Sequence, residues 1–170
     1  ADIATGIPFF DHMLTAMAVH GHLDLTLEVR GDLEVDFHHT VEDTGLVLGQ
    51  ALSEALNAEK DTHIVRFGDA CVPMDESLSR VTVDLSNRPY LVYRYPETLR
   101  AGTEFSIHLA REFFQALSVQ GAFNLHINTE YGANEHHALE SIFKALGRAL
   151  HAATRLNREP GQVLSTKGSL

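Results

Sequence analysis

Two short runs in this sequence carry side chains suited to holding a transition metal: His38-His39-Thr40-Val41-Glu42 and His136-His137-Ala138-Leu139-Glu140. A mixture of imidazole nitrogen and carboxylate oxygen suits Mn, Fe or Zn, and the lack of cysteine ligands disfavours a structural zinc site. On an α-helix, residues three and four apart share a face, so each glutamate can lie beside both histidines of its run. Neighbouring histidines stand about 100° apart around the axis, so one pair does not readily chelate a single ion. A pair can instead serve two ions, one imidazole each, and the two runs together supply four imidazoles and two carboxylates. The competing reading is that vicinal histidines at a helix start are only solvated polar residues. Recurrence of the run in matched positions favours ligands.

The elements that must position these runs follow one plan twice. Phe10 to Val19 reads as a short helix with Met13, Leu14 and Met17 on one side, ended by Gly21. Leu23 to Arg30 alternates apolar and polar residues as a half-buried strand, and Leu33, Val35 and Phe37 continue the alternation past the turn signal Gly31-Asp32. A helical period follows, with Val41, Leu48, Leu52, Ala55 and Leu56 on one face. Three strand-like runs come next, Ile64 to Val72, Arg80 to Leu85 and Tyr90 to Tyr93, and then a linker over 96–102. Leu109, Phe113, Phe114 and Leu117 start the second copy as a helix, Gly121 ends it, and Phe123, Leu125 and Ile127 alternate as a strand. Asn134 can cap a long helix with Leu139, Ile142, Phe143, Leu146, Ala149 and Leu150 inward. The result is an α/β domain, of α+β type, made by duplication of one βαβ-type unit, with halves of about 1–95 and 96–170.

The 170 residues, 44% of them hydrophobic, fit one globular domain with a substantial core. A formal net charge of -10 argues against a general nucleic-acid or anionic-membrane binder. No run approaches the length of a membrane span, and no signal peptide opens the sequence. The single cysteine, Cys71, excludes an internal disulfide and fits a reducing, cytoplasmic setting; its apolar surroundings suggest a buried structural thiol. Histidine is the one abnormal count, at 11.

Taken together, Thr5-Gly-Ile-Pro-Phe-Phe-Asp-His-Met-Leu14, Asp36-Phe-His-His-Thr-Val-Glu-Asp43, Arg66-Phe-Gly68, Pro73-Met-Asp-Glu76, Glu135-His-His-Ala-Leu-Glu140 and Ser165-Thr-Lys-Gly168 resemble the imidazoleglycerol-phosphate dehydratase family, in its order and at its spacings. The resemblance implies a ribosomal-protein-S5-domain-2-like fold with helices packed against mixed four-stranded sheets. It implies two Mn2+ ions per active site, bound by His12, His38, His39, Glu42, His136, His137 and Glu140. The repeat places Glu112 opposite His12. Many family members carry histidine there, and Glu112 reads either as the last ligand or as a salt-bridged surface carboxylate. Arg66, Arg88, Ser165 and Lys167 would bind the substrate phosphate, and His20 would also contact substrate. His22, His108, His126 and His151 read as strand, loop or helix-surface residues, and His63 takes no role.

The implied reaction removes water from imidazole glycerol phosphate to give imidazole acetol phosphate, in histidine biosynthesis. Glu140 is the candidate for proton transfer. The resemblance further implies trimers within a 24-subunit homo-oligomer, with sites shared between subunits. It also implies a preceding strand with an Arg-x-Thr-x-Glu-Thr pattern whose glutamate is a second acid/base. The sequence starts at Ala1-Asp-Ile-Ala-Thr-Gly6, without that strand. A dinuclear phosphate-ester hydrolase and a metal-assembled, non-catalytic shell protein are the alternatives.

Overall fold

A computed structural model describes residues 1–58, 63–99, 102 and 105–157. Its elements run β1 (Asp2–Ala4), α1 (Pro8–Gly21), β2 (Thr26–Glu28), α2 (His38–Asn57), β3 (Phe67–Met74), β4 (Ser77–Asp84), β5 (Tyr90–Arg94), α3 (Ile107–Gln120), β6 (Asn124–Tyr131) and α4 (Glu135–Thr154). The duplication is visible in helix lengths: α1 and α3 each have 14 residues, and α2 and α4 each have 20.

Local chemistry sets the helix starts. Pro8 opens α1, where its missing N–H is not needed. Asp36 Oδ1 accepts from the His38 N–H at 2.7 Å. Asn134 Oδ1 accepts from the N–H groups of His136 and His137, as expected of a cap. Both metal-type motifs therefore begin where a side chain just ahead of the helix accepts from its first N–H groups, the N-cap Asn134 in α4 and Asp36, one residue before the N-cap, in α2.

Each half's short helix packs on the other half's long helix, α1 on α4 and α2 on α3. Glycines permit the close approach. A Cβ on Gly147 of α4 would collide with backbone at Met17 and Gly21 of α1, and one on Gly49 of α2 with backbone at Leu117 and Gly121. The pairs Gly21–Gly147 and Gly121–Gly49 occupy equivalent places in the two halves. Phe10, Leu14, Phe113, Phe114, Phe143 and Leu146 fill the space between, each 0% exposed.

One sheet is mixed and four-stranded, in the order β3-β4-β6-β5, antiparallel except for β5 beside β6. Its inner face, with Val81, Val83, Leu125 and Ile127, packs under the helices, and α4 lies across β3 and β4. The other sheet among the described residues is smaller than the resemblance implies: β1 and β2 pair in parallel over three residues, Asp2↔Thr26 to Ala4↔Glu28. The strand expected over 23–30 therefore shortens to Thr26–Glu28. Alternation tells which side chains face inward, but pairing extends only as far as the partner strand. Leu33 to Val35 form a turn, with the Val35 N–H donating to Asp32 O at 2.8 Å, and do not continue the strand. Cys71 is exposed and not buried. It lies on β3, an edge strand, whose alternation also turns Phe67, Asp69 and Pro73 outward.

Candidate active site

His12 on α1 meets His136 and Glu140 on α4. One ligand atom from each lies within 4.8 Å of the others. Glu140 Oε2 stands 3.1 Å from His136 Nε2 and 3.4 Å from His12 Nε2. The other oxygen, Oε1, is held at 2.7 Å by Lys144 Nζ, one helical turn further along α4. Burial pushes the Glu140 carboxyl up, but Lys144, His136 and His12 outweigh it and hold the group below the ordinary carboxylate value. Glu140 is thus a buried, ionised carboxylate with its two oxygens on different partners. Two imidazole nitrogens and a carboxylate oxygen converging on one point form a donor set that fits a divalent transition ion. His20, in the last turn of α1, is half-buried; burial first, then the cations Lys144 and Arg148, lower its pKa.

The first copy of the motif presents the matching arrangement less tightly. His38 Nε2 lies 3.8 Å from Glu42 Oε2. His38 and Glu112 line one open cleft of about 710 Å3, together with Asp36, Phe37 and His108. Glu112 is also 3.7 Å from Arg111 Nη1, so both readings of this residue, site-facing and ion-paired, describe its position. Among the described residues, His38, His39, Glu42 and Glu112 do not join the His12–His136–Glu140 group.

Each glutamate was expected beside both histidines of its motif. Each instead pairs with the histidine four residues back, and the second histidine of each motif turns to another carboxylate. His39 Nδ1 lies 2.9 Å from Asp32 Oδ2, and His137 Nδ1 lies 2.7 Å from Glu76 Oε2. The rings of each pair diverge, with interplanar angles of 84° for His38–His39 and 80° for His136–His137. The divergence follows from the roughly 100° between adjacent positions on a helix. Asp32 raises the His39 pKa and Glu76 raises that of His137. In return Glu76, which also accepts from the Asn134 and Ala133 N–H groups, falls to about 2.

Arg66 and Arg88 lie elsewhere. Arg66 grips Asp84 through Nε at 2.7 Å and Nη2 at 3.2 Å, and Arg88 Nη2 reaches the same carboxylate at 3.6 Å. The Arg66 N–H donates to Ala153 O in the last turn of α4, whereas His136 and His137 start that helix. At 1.5 Å per residue, the Arg66 backbone and the start of α4 are roughly 25 Å apart along that helix. Glu135 Oε1 accepts from the Ile107 N–H at the start of α3, and His38 lines a cleft with His108 there, so His38 lies at the same end of the molecule as His136. Ser165 and Lys167 lie outside the described residues. Sequence reasoning gave no site role to Lys144, Asp32, Glu76 or Asp84, although Glu76 closes the Pro73–Glu76 run of the resemblance. Lys144 was findable from its i,i+4 spacing to Glu140; the other three depend on tertiary contacts.

The other histidines are surface residues, as expected. The His22 and His151 rings lie 4.9 Å apart and tilted by 53°, His126 lies 6.4 Å from Tyr90, and His108 Nδ1 lies 2.9 Å from Tyr95 Oη.

A family model described as imidazoleglycerol-phosphate dehydratase matches residues 5–150. The chain is 51% identical over 168 residues to the imidazoleglycerol-phosphate dehydratase of Desulfosudis oleivorans, covering 99% of this chain and 85% of that protein. It is 53% identical over 168 residues to that of Trichlorobacter lovleyi, with the same coverage of 99% and 85%. Among solved structures, imidazoleglycerol-phosphate dehydratase from Staphylococcus aureus superposes with a TM-score of 0.83 at 41% identity, over 92% of this chain and 88% of that one. IGPD from Pyrococcus furiosus, in complex with (S)-C348, gives 0.82 at 38% identity, over 99% and 90%. The chain belongs to the imidazoleglycerol-phosphate dehydratase family, hydro-lyases of histidine biosynthesis.

Proposed function

We propose that the chain dehydrates imidazole glycerol phosphate to imidazole acetol phosphate with two Mn2+ ions per active site, in sites shared between copies of the chain. The observation carrying this reading is the convergence of His12 Nε2, His136 Nε2 and Glu140 Oε2 within 4.8 Å. One ion would be held by that set, and the second by the matching groups His38, Glu42 and Glu112. His39 and His137, turned away from their own motifs, would complete the sites of neighbouring copies. Bound Mn2+ supplies Lewis acidity at the substrate imidazole, which promotes loss of the hydroxyl from the adjacent carbon.

The chain's own residues supply the rest. Glu140 uses Oε2 toward the imidazoles and Oε1 for the proton from the phosphate-side carbon. Lys144 keeps that carboxyl ionised before the proton arrives. Loss of that proton and of the hydroxyl gives an enol, which relaxes to the ketone. His20, on the flank with Lys144 and Arg148, contacts substrate. Arg66 and Arg88, gathered on Asp84, bind the phosphate with Ser165 and Lys167.

The Arg66 backbone lies roughly 25 Å along α4 from the second motif, a separation that favours sharing. In this reading a second copy brings its arginines to this copy's histidines, in a homo-oligomer of 24 subunits built from trimers. Packing of α1 on α4 and α2 on α3 supports a single domain of two halves, about 1–95 and 96–170, since neither half closes its core alone. A cytoplasmic setting agrees with the lone, unpaired cysteine. The test is a dehydration assay with added Mn2+ on the wild type and on Glu140→Gln. Keto product from the wild type and none from the variant is expected; full activity in the variant would remove the proton-transfer role.

A further inference from the structure

The second histidine of each motif has its Nδ1 on a carboxylate supplied by a turn outside its own helix. Asp32 comes from the turn before α2 and Glu76 from the β3–β4 turn. Both turns are drawn in by a glycine. Gly31 packs on Thr40, next in the chain to His39, closely enough that a Cβ would collide with its side chain; Gly132 packs in the same way on Ser77, next to Glu76. Glu76 is fixed further, since its Oε1 accepts from the Asn134 N–H at 2.9 Å and the Ala133 N–H at 3.3 Å.

An ionised carboxylate only accepts hydrogen bonds, so the facing Nδ1 must carry a proton. The neutral ring then has its lone pair on Nε2. Among described carboxylates, Asp75 is nearest His137 Nε2, at 3.7 Å and beyond hydrogen-bonding distance.

We propose that Asp32 and Glu76 are positioning residues that lock His39 and His137 in the tautomer and orientation presenting Nε2 as a metal ligand. This inference rests on the reading of His39 and His137 as ligands. Neither carboxylate belongs to the metal-ligating set itself. They act as the outer partners that fix imidazole ligands in many metal sites, whose removal weakens metal binding about 10- to 100-fold.

The geometry makes Glu76→Gln a sharp perturbation. If the amide oxygen stays on the Ala133 and Asn134 N–H groups, the amide NH2 faces His137 Nδ1 and forces the proton to Nε2. The reverse orientation sets NH2 against two N–H donors. Asp32→Asn replaces the ionised acceptor facing His39 with a neutral amide on the other motif, and so serves if Glu76→Gln folds poorly. Mn2+ stoichiometry and affinity are measured by equilibrium dialysis on the full chain, alongside His39→Ala and His137→Ala. The expected result is that each amide variant weakens Mn2+ binding about 10- to 100-fold while the alanine variants abolish binding at one class of site. Unchanged affinity in both amide variants, with loss in the alanine variants, overturns the positioning role and leaves the ligand reading standing. Full Mn2+ binding in the alanine variants overturns both.

Discussion

The crossing of α1 and α4 is the contact on which His12, His136 and Glu140 depend, and Gly147→Ala tests it. A methyl group there would collide with Met17 O and lie 2.9 Å from Gly21 N and 3.1 Å from Met17 C. Ordinary contact requires about 3.5 Å, and all three atoms are backbone, so α1 must withdraw by roughly 1 Å. Two effects oppose each other. Alanine gains about 1 kcal/mol of helix propensity over glycine, while overpacking costs about 1–3 kcal/mol. Collision with rigid backbone places the strain at the upper end, leaving a net loss of about 1–2 kcal/mol. For a domain of this size that lowers Tm by roughly 2–8 °C. The same withdrawal carries His12 away from Glu140, now 3.4 Å apart, and a misplacement of this size can reduce the rate on the order of 10²-fold. Tm without metal, Mn2+ affinity and kcat are measured at one protein concentration. Gly49→Ala, at the equivalent α2–α3 crossing, should lose similar stability while leaving the His12–His136–Glu140 spacing intact. A Gly147→Ala protein with wild-type Tm and Mn2+ affinity would refute the reasoning, because the crossing would then have room to spare.

Lys144→Met removes the ammonium 2.7 Å from Glu140 Oε1, leaving burial as the leading influence on a carboxyl that Lys144 now helps hold down. The Glu140 pKa should rise, and Mn2+ binding, compared by dialysis at pH 7.5 and 5.5, should weaken with acidity more steeply than in the wild type; parallel curves would exclude this role. Glu76 stands at about 2 against an ordinary 4.5, so its stabilising contribution is full above about 4.5 and is lost as pH falls toward 2. His137 is raised above its ordinary 6.5, so its contribution is full below that value and is lost as pH rises through the folded pKa. Urea midpoints of the metal-free chain across pH 2–9 should therefore fall at both ends. Glu76→Gln should flatten both limbs, and an unaltered profile would count against the pair.

Much of the fold was legible because it rests on local periodicity. The 3.6-residue pattern of Leu139, Ile142, Phe143 and Leu146 found α4 and its inward face, and Asn134 found its start. The alternation of Leu125 and Ile127 found the core-facing side of β6. The same alternation over Leu23 to Arg30 overstated β2, because strand length is set by the partner chain, and β1 offers only Asp2 to Ala4. Cys71 was misplaced for a related reason: apolar neighbours do not reveal that one face of an edge strand is left uncovered.

By itself the sequence determined the candidate ligand types, their duplication and the divergence of adjacent histidines, since all of these follow from residue identity and helical geometry. Only the tertiary structure decided which groups meet. His12 reaches Glu140 because two glycines let α1 and α4 touch, across 128 residues of chain. His39 and His137 turn to Asp32 and Glu76 because two further glycines draw those turns in. The Arg66 backbone lies far from the second motif because α4 is one continuous element, with His136 at its start and Ala153 in its last turn. Such contacts depend on the close approach of distant backbone, which no local pattern of residue types encodes.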